Sequence, residues 1–446
     1  MTGPIVGGAH NRPFAAYFGN IASVGYVETE YFLEGEARAF TLHNAPQDGR
    51  FEVSAAETKP YRTRILVRRP VDPAKFNGTV VVEWINVSAG YEIACADPVG
   101  LYDGFAWVSV SAQRVGVHGY EAGVPPSLPT GKGLRQWDPG RYGDLSIPGD
   151  SLSYDIFTQA ARAIGPHRTG AVDPMGGLNV RKLVAIGASQ SGIRLVSYIN
   201  GVQPIENVFD ALIPVVFFGR SAPWVDAPRD NPMAFSGPQA RIRDDVSAKV
   251  FGLNSETEAS PYLAMRQPDS DKFRYWEIAG ASHGGTEQEA RLKLIAERDG
   301  LNGSEQGPSL HLSDVLWMPT CDAVIRQVHR WINGGGAPPT QPVIEFDTTG
   351  VQPAIRRDEF GNARGGVRLP ELDVPIAKYV GSTADSAYSG QTFPFTPEQL
   401  KRLYPTRQDY VAKVKAAAER ALKAGVILPY RVQQYVAQAE MAGIPG

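Results

Sequence analysis

Ser189 stands at the apex of Gly187-Ala188-Ser189-Gln190-Ser191-Gly192, after an apolar run, Leu183-Val184-Ala185-Ile186, and before a helix-like stretch over residues 193–199. A strand, a very tight turn and a helix are the setting in which a serine hydroxyl is lifted clear of a sheet as a nucleophile. The strained backbone of such a serine demands small residues two positions before and after it. Gly187 and Ser191 meet that demand. The helix start behind the serine offers backbone N–H groups to an oxyanion. The chemistry expected is acyl transfer.

A serine hydroxyl is a poor nucleophile at neutral pH and needs a base, usually a histidine oriented by a carboxylate. Of the seven histidines, His10 and His43 precede the sheet core and His167 lies on the wrong side of the serine strand. His118 and His311 fall in loops, and His329 on a helix beside Arg330-Trp331. His283 differs, because it follows the strand-like Tyr275-Trp276-Glu277-Ile278-Ala279 within the small-residue loop Gly280-Ala281-Ser282-His283-Gly284-Gly285. For a serine presented in this way, the acid falls between serine and histidine in chain order. Ser255-Glu256-Thr257-Glu258 follows the strand-like run that begins at Lys249. Counted from the strand start, Glu258 is the expected acid; Glu256 is the alternative if the loop is tighter. Two oxyanion donors are expected: the backbone N–H of Gln190, and that of Asn86 or Val87 in the loop after a strand over residues 79–84.

These groups need a sheet to position them. Runs at residues 79–84 and 105–110 are nearly continuous and rich in β-branched and aromatic residues, as strands covered on both faces require, and further strands are read at 211–218, 249–253 and 274–279. Residues 25–41 suggest an edge strand pair, 61–68 a half-buried strand, and 151–164 a helix with Ile156, Phe157, Ala160 and Ile164 on one face. Alternating strands and helices imply a mostly parallel central sheet flanked by helices, an α/β fold. Residues of about 114–150 and 219–247, rich in Gly, Pro and aromatics, read as lid-like insertions after strands. A helix at residues 321–333 ends at Gly334-Gly335-Gly336, and an extension of about 340–446 follows with two helices near 397–424 and 430–442. The whole, residues 1–446, reads as a single domain with its core at about 60–335 and the extension packed on that core.

Of the 446 residues, 43% are apolar and 20% charged, which suffices for a large core. A net charge of −3 with scattered basic residues gives no electrostatic footprint for nucleic acid. No apolar run approaches the length of a membrane span, and the first twenty or so residues lack the pattern of a signal peptide, so a cytoplasmic protein is expected. The histidines are not spaced as metal ligands, so neither metal nor cofactor is expected. The two cysteines, Cys95 and Cys321, read more simply as buried thiols than as a pair.

Taken together, several segments resemble the α/β-hydrolase superfamily, and more narrowly a bacterial family described only as α/β-hydrolase domain proteins. They include residues 82–88, Trp107-Val108-Ser109-Val110-Ser111-Ala112-Gln113, Gly149-Asp150-Ser151, Tyr154-Asp155-Ile156-Phe157 and residues 187–192. Ser255-Glu256-Thr257-Glu258, Arg266-Gln267-Pro268-Asp269, residues 276–280 and Gly361-Asn362-Ala363-Arg364-Gly365-Gly366 extend the likeness over nearly the whole chain. The resemblance implies the α/β-hydrolase fold and hydrolysis of a small-molecule carboxylic ester through an acyl-enzyme. Members often carry Asp where this chain has Glu258. An amidase or acyltransferase would use the same triad, and a non-catalytic small-ligand-binding protein could share the fold.

Overall fold

In a computed structural model, β1 (Tyr26–Asn44) and β2 (Glu52–Pro70) pair antiparallel along their length, with Tyr26 opposite Pro70 and Asn44 opposite Glu52. The structure describes residues 1–94, 103–120, 132–226, 236–301 and 311–444. The chain, read from sequence as one domain, divides into two compact units: Met1–Val250 with Leu292–Ser304, and Phe251–Arg291 with Glu305–Gly446.

In the first unit the strand order is β1-β2-β4-β3-β5-β6, with β3 (Thr79–Trp84), β4 (Ala106–Val110), β5 (Lys182–Ala188) and β6 (Ala211–Val215). β4 pairs antiparallel with β2 and parallel with β3, and β3-β5-β6 continue in parallel. Val80, Val81 and Val82 of β3 are wholly buried, each burial contributing about 2 kcal/mol. This explains why these strands read as unbroken apolar runs. β2 reaches well beyond the expected residues 61–68, because its first half, Glu-, Thr- and Lys-containing and largely exposed, is held by pairing with β1 rather than by burial. β6 stops at Val215, short of the expected Phe218, because Val216 and Phe218 adopt positive φ of 45° and 52°.

A charged cluster lies inside this apolar frame. The Arg64 guanidinium on β2 is fully buried and pairs with Glu30 at 2.7 Å and Glu92 at 2.5 Å, while donating to the Phe14 carbonyl at 3.0 Å. An unpaired buried charge costs several kcal/mol, so each partner is needed. Arg141 closes the cluster on Glu30 at 2.6 Å.

The helix Ser153–Ile164 buries Ile156, Phe157, Ala160 and Ile164, as its spacing predicts. The described part of the first insertion forms short helices, Arg114–His118, Leu134–Trp137 and Pro139–Tyr142; residues 121–131 lie outside the described residues. In the second, Trp224 stacks on Tyr154 with ring centroids 4.5 Å apart, and residues 227–235 lie outside the described residues.

The second unit holds most of β7 (Lys249–Ser255), β8 (Phe273–Ile278) and the helix Met318–Ile332. The extension packs along β8. Val367 donates to the Glu277 carbonyl at 2.6 Å and accepts from the Ala279 N–H at 3.1 Å. Beneath that contact the buried Glu277 carboxylate takes the Arg266 guanidinium through both oxygens, the Tyr275 hydroxyl at 2.7 Å and the Ile344 N–H at 2.9 Å. Burial pushes the Glu277 carboxyl above its ordinary pKa, although Arg266 opposes the rise. Three helices, Pro397–Leu403, Arg407–Lys423 and Pro429–Met441, stand where the sequence suggested two, and the turn between the last two buries Val426 and Ile427. The helix Thr286–Asp299, of low amphipathicity, is absent from the sequence reading.

Candidate active site

The first unit presents Ser189 between β5 and the helix Gln190–Ser197, at φ 60° and ψ −124°. A non-glycine residue there costs about 1–3 kcal/mol and must be held in place. The Ser189 N–H donates to the Val215 carbonyl at 2.9 Å, and the Ser189 carbonyl accepts from Ile193 at 2.9 Å. The turn is tight enough that a Cβ on Gly187 would come within 2.8 Å of the Ser191 carbonyl, and one on Gly192 within 2.7 Å of the Val215 carbonyl. Gly187 was singled out from sequence. Gly192 was not, since its need comes from the neighbouring strand.

The Gln190 N–H is the first of the helix, with no intrahelical acceptor to serve. The loop after β3 is fixed next to it. Asn86 donates its side-chain amide to the Ala188 carbonyl at 3.0 Å and accepts from the Ser88 N–H at 2.8 Å. Its backbone N–H donates to Ile93 at 3.3 Å, so that N–H is committed to the loop itself. The loop also carries Glu92, held by Arg64. Behind the turn, Asp150 accepts from Arg194 at 2.9 Å and from the Arg114 N–H at 2.7 Å.

The second unit brings Glu258 and His283 together, with Oε1 of Glu258 2.7 Å from Nδ1 of His283. Glu258 is fully buried. Its other oxygen, Oε2, accepts from the Ser255 N–H at 3.0 Å and the Ser255 hydroxyl at 2.5 Å. That is the capping box of the helix Glu256–Tyr262. One carboxylate thus caps a helix and orients an imidazole, and with Nδ1 donating to Glu258, Nε2 is the basic nitrogen.

Glu256 does something else. It accepts from the Gly280 N–H at 2.7 Å and the Gly381 N–H at 3.2 Å, and pairs with Arg357 at 2.7 Å. The His283 backbone N–H donates to Thr257 Oγ1 at 3.0 Å, and that hydroxyl donates to the Gly381 carbonyl at 2.5 Å. Trp317 donates its indole N–H to the His283 carbonyl at 3.0 Å. Gly284 donates to the Tyr388 carbonyl at 2.9 Å, and the Tyr388 ring meets the imidazole edge-on at 5.4 Å. Thr257, Trp317, Gly381 and Tyr388 were missed in the sequence. Only the S-x-x-E spacing of Ser255 and Glu258 carries a readable signal for its role. The others act through folding of segments far apart in the chain.

Among the described residues no group of three or more His, Cys, Asp or Glu side chains is placed to hold a metal ion. No described helix is long and apolar enough to cross a membrane. Cys321 is buried, and Cys95 lies outside the described residues.

The model of a family described as an alpha/beta hydrolase domain matches residues 1–437. No curated protein matches the chain. Among solved structures it is similar to the esterase Est22, at 10% identity and a TM-score of 0.34, covering 70% of this chain and 82% of that one. It is also similar to an acetyl xylan esterase from Paenibacillus sp. R4, at 13% identity and a TM-score of 0.27 over 58% and 88% of the two chains. A third similarity is to oligopeptidase B from Leishmania major, at 11% identity and a TM-score of 0.31 over 62% and 36%.

Proposed function

Because the chain belongs to the alpha/beta hydrolase domain family, we propose that it is a serine hydrolase that cleaves carboxylic esters through an acyl-enzyme. Ser189 Oγ attacks the ester carbonyl while His283 Nε2 takes its proton. Glu258 holds Nδ1 and stabilises the imidazolium that results. The tetrahedral oxyanion accepts from the Gln190 N–H and, on the loop after β3, from the Val87 N–H. Val87 is the better candidate there because the Asn86 N–H already donates to Ile93. His283 then returns the proton to the departing alkoxide, and the alcohol leaves. Water, activated by His283, attacks the acyl-enzyme; collapse of the second intermediate releases the carboxylic acid and regenerates the Ser189 hydroxyl.

The observation that carries this reading is the backbone of Ser189, held at φ 60° and ψ −124° between a strand and a helix. Such strain is characteristic of a turn that presents a nucleophile. The test is labelling with an alkyl phosphonofluoridate, followed by peptide mapping, alongside turnover of p-nitrophenyl esters of graded acyl length. A single adduct on Ser189 with stoichiometric loss of ester turnover is expected. Labelling on Ser191, or full labelling with turnover intact, would remove Ser189 from the mechanism.

A further inference from the structure

The peptide unit between Ala188 and Ser189 is held from both sides. Its N–H donates to the Val215 carbonyl of β6 at 2.9 Å, and its carbonyl accepts from the side-chain amide of Asn86 at 3.0 Å. The same amide accepts, through Oδ1, from the Ser88 N–H at 2.8 Å and the Ser88 hydroxyl at 2.6 Å. These partners fix which way the amide faces, because a carbonyl can only accept and an N–H can only donate. Asn86 is 6% exposed. One buried side chain thus joins the loop after β3 to the residue before the nucleophile.

Between the two ends of that clasp lies Val87. Its N–H has no acceptor among the described residues, although the residue is only 3% exposed. Buried backbone donors are rarely left unsatisfied, so an N–H in this state points to an acceptor that arrives with a ligand. The neighbouring backbone groups are committed to the loop. Asn86 and Ile93 exchange both backbone hydrogen bonds, at 3.3 and 2.7 Å, and Gly90 donates to the Val87 carbonyl at 3.0 Å. The Tyr120 hydroxyl donates to the Ser88 carbonyl at 2.9 Å.

We propose that Asn86 is a positioning residue of the oxyanion hole: its side chain sets the spacing between the Val87 and Gln190 N–H groups by tying the loop to the Ala188–Ser189 peptide. The proposal rests on the serine-hydrolase reading above, in which those two N–H groups receive the oxyanion. Asn86 acts on the donors and not on the reacting atoms. An oxyanion hole is worth most when its donors are in place before charge develops. A side chain that fixes one donor relative to the other therefore lowers the transition state and leaves ester binding alone.

Asn86→Ser and Asn86→Asp test this in the full-length protein. Both can still cap the Ser88 N–H, so the turn of the loop survives. Neither can donate to the Ala188 carbonyl, because serine is too short and a carboxylate has no N–H. Active sites are counted by phosphonofluoridate titration, and kcat and KM for p-nitrophenyl butyrate are measured per titrated site. The kcat per site should fall about 10- to 100-fold in both variants, with KM near that of the parent. The affinity for an alkyl trifluoromethyl ketone, whose adduct carries the oxyanion, should fall by the same factor as kcat/KM. A merely structural role would lower the number of titrated sites and leave kcat per site and ketone affinity unchanged; that result overturns the proposal. So does a raised KM with unchanged kcat. A parent protein that neither titrates at Ser189 nor binds the ketone would overturn the serine-hydrolase reading, and this proposal with it.

Discussion

Glu258 divides its carboxylate between two partners, giving Oε2 to Ser255 and Oε1 to Nδ1 of His283 at 2.7 Å. The capping box fixes the side chain from behind, so the imidazole meets an acceptor whose position is set by a helix and not by loop packing.

Glu258→Gln should therefore fold and fail. The amide oxygen can still accept from Ser255, which turns the amide N–H₂ toward Nδ1. Nδ1 must then act as the acceptor, and the proton moves to Nε2, where a base is needed. Ester turnover should fall by up to about 10⁴-fold, with the circular dichroism spectrum unchanged. A Glu258→Gln enzyme that retains most of its turnover would exclude this carboxylate as the orienting acid.

Glu256→Gln should show the reverse profile. The Arg357 pair is lost and the bonds to Gly280 and Gly381 are weakened. Breaking a fully buried ion pair costs about 3 kcal/mol, and the loss here is smaller because the Arg357 side chain is 30% exposed. Chemical denaturation should reveal that loss, while kcat of the folded fraction stays within about tenfold of the parent, the histidine and its acid being untouched. A stable but inactive variant would contradict this division of roles.

At position 189 itself, stability and activity should part. Glycine adopts φ of 60° at little cost, whereas alanine inherits the strain. Ser189→Gly should melt higher than Ser189→Ala by the equivalent of about 1 kcal/mol, and both should lack ester turnover. Equal melting temperatures would mean that the turn stores no strain.

Glu371 links stability to pH. Its carboxyl is raised from 4.5 to about 7 in the folded protein, so the folded state holds the proton more tightly than the unfolded chain. This contribution is intact below pH 4.5, declines as pH rises toward 7 and is fully lost above it, in total about 3 kcal/mol. Urea unfolding at pH 5 and pH 8 should show the drop in the parent and a smaller one in Glu371→Gln. An identical pH dependence in both would place the titration elsewhere.

Truncation after Gly336 removes Arg357 from Glu256, Ile344 and Val367 from β8, and Gly381 from Thr257. The shortened chain should be insoluble or devoid of ester turnover. A soluble fragment of full activity would show the extension to be a separate module.

Much of this arrangement was legible in the sequence. Strands buried on both faces announce themselves by composition, as β3, β4 and β5 do, and the serine turn carries its own small-residue pattern. The half of β2 before Tyr61 was not legible, because cross-strand pairing with β1 leaves no apolar periodicity. The roles of Arg64 and Glu277 were equally hidden, since a lone charge in a strand gives no sign of which distant charge will meet it. Several strings singled out by resemblance prove to be contact partners. Arg266 meets Glu277, and Asp150 meets Arg194 within the first unit.

The Gly381 and Tyr388 contacts also impose an order on synthesis. The serine turn has every backbone partner it needs once Val215 has been made, early in the chain. The histidine loop does not: Thr257 awaits Gly381, and Gly284 awaits Tyr388, more than a hundred residues downstream of Thr257 and Gly284 themselves. The backbone contacts of the serine turn thus lie within residues made early, whereas the anchoring of the histidine loop is completed only by residues made late.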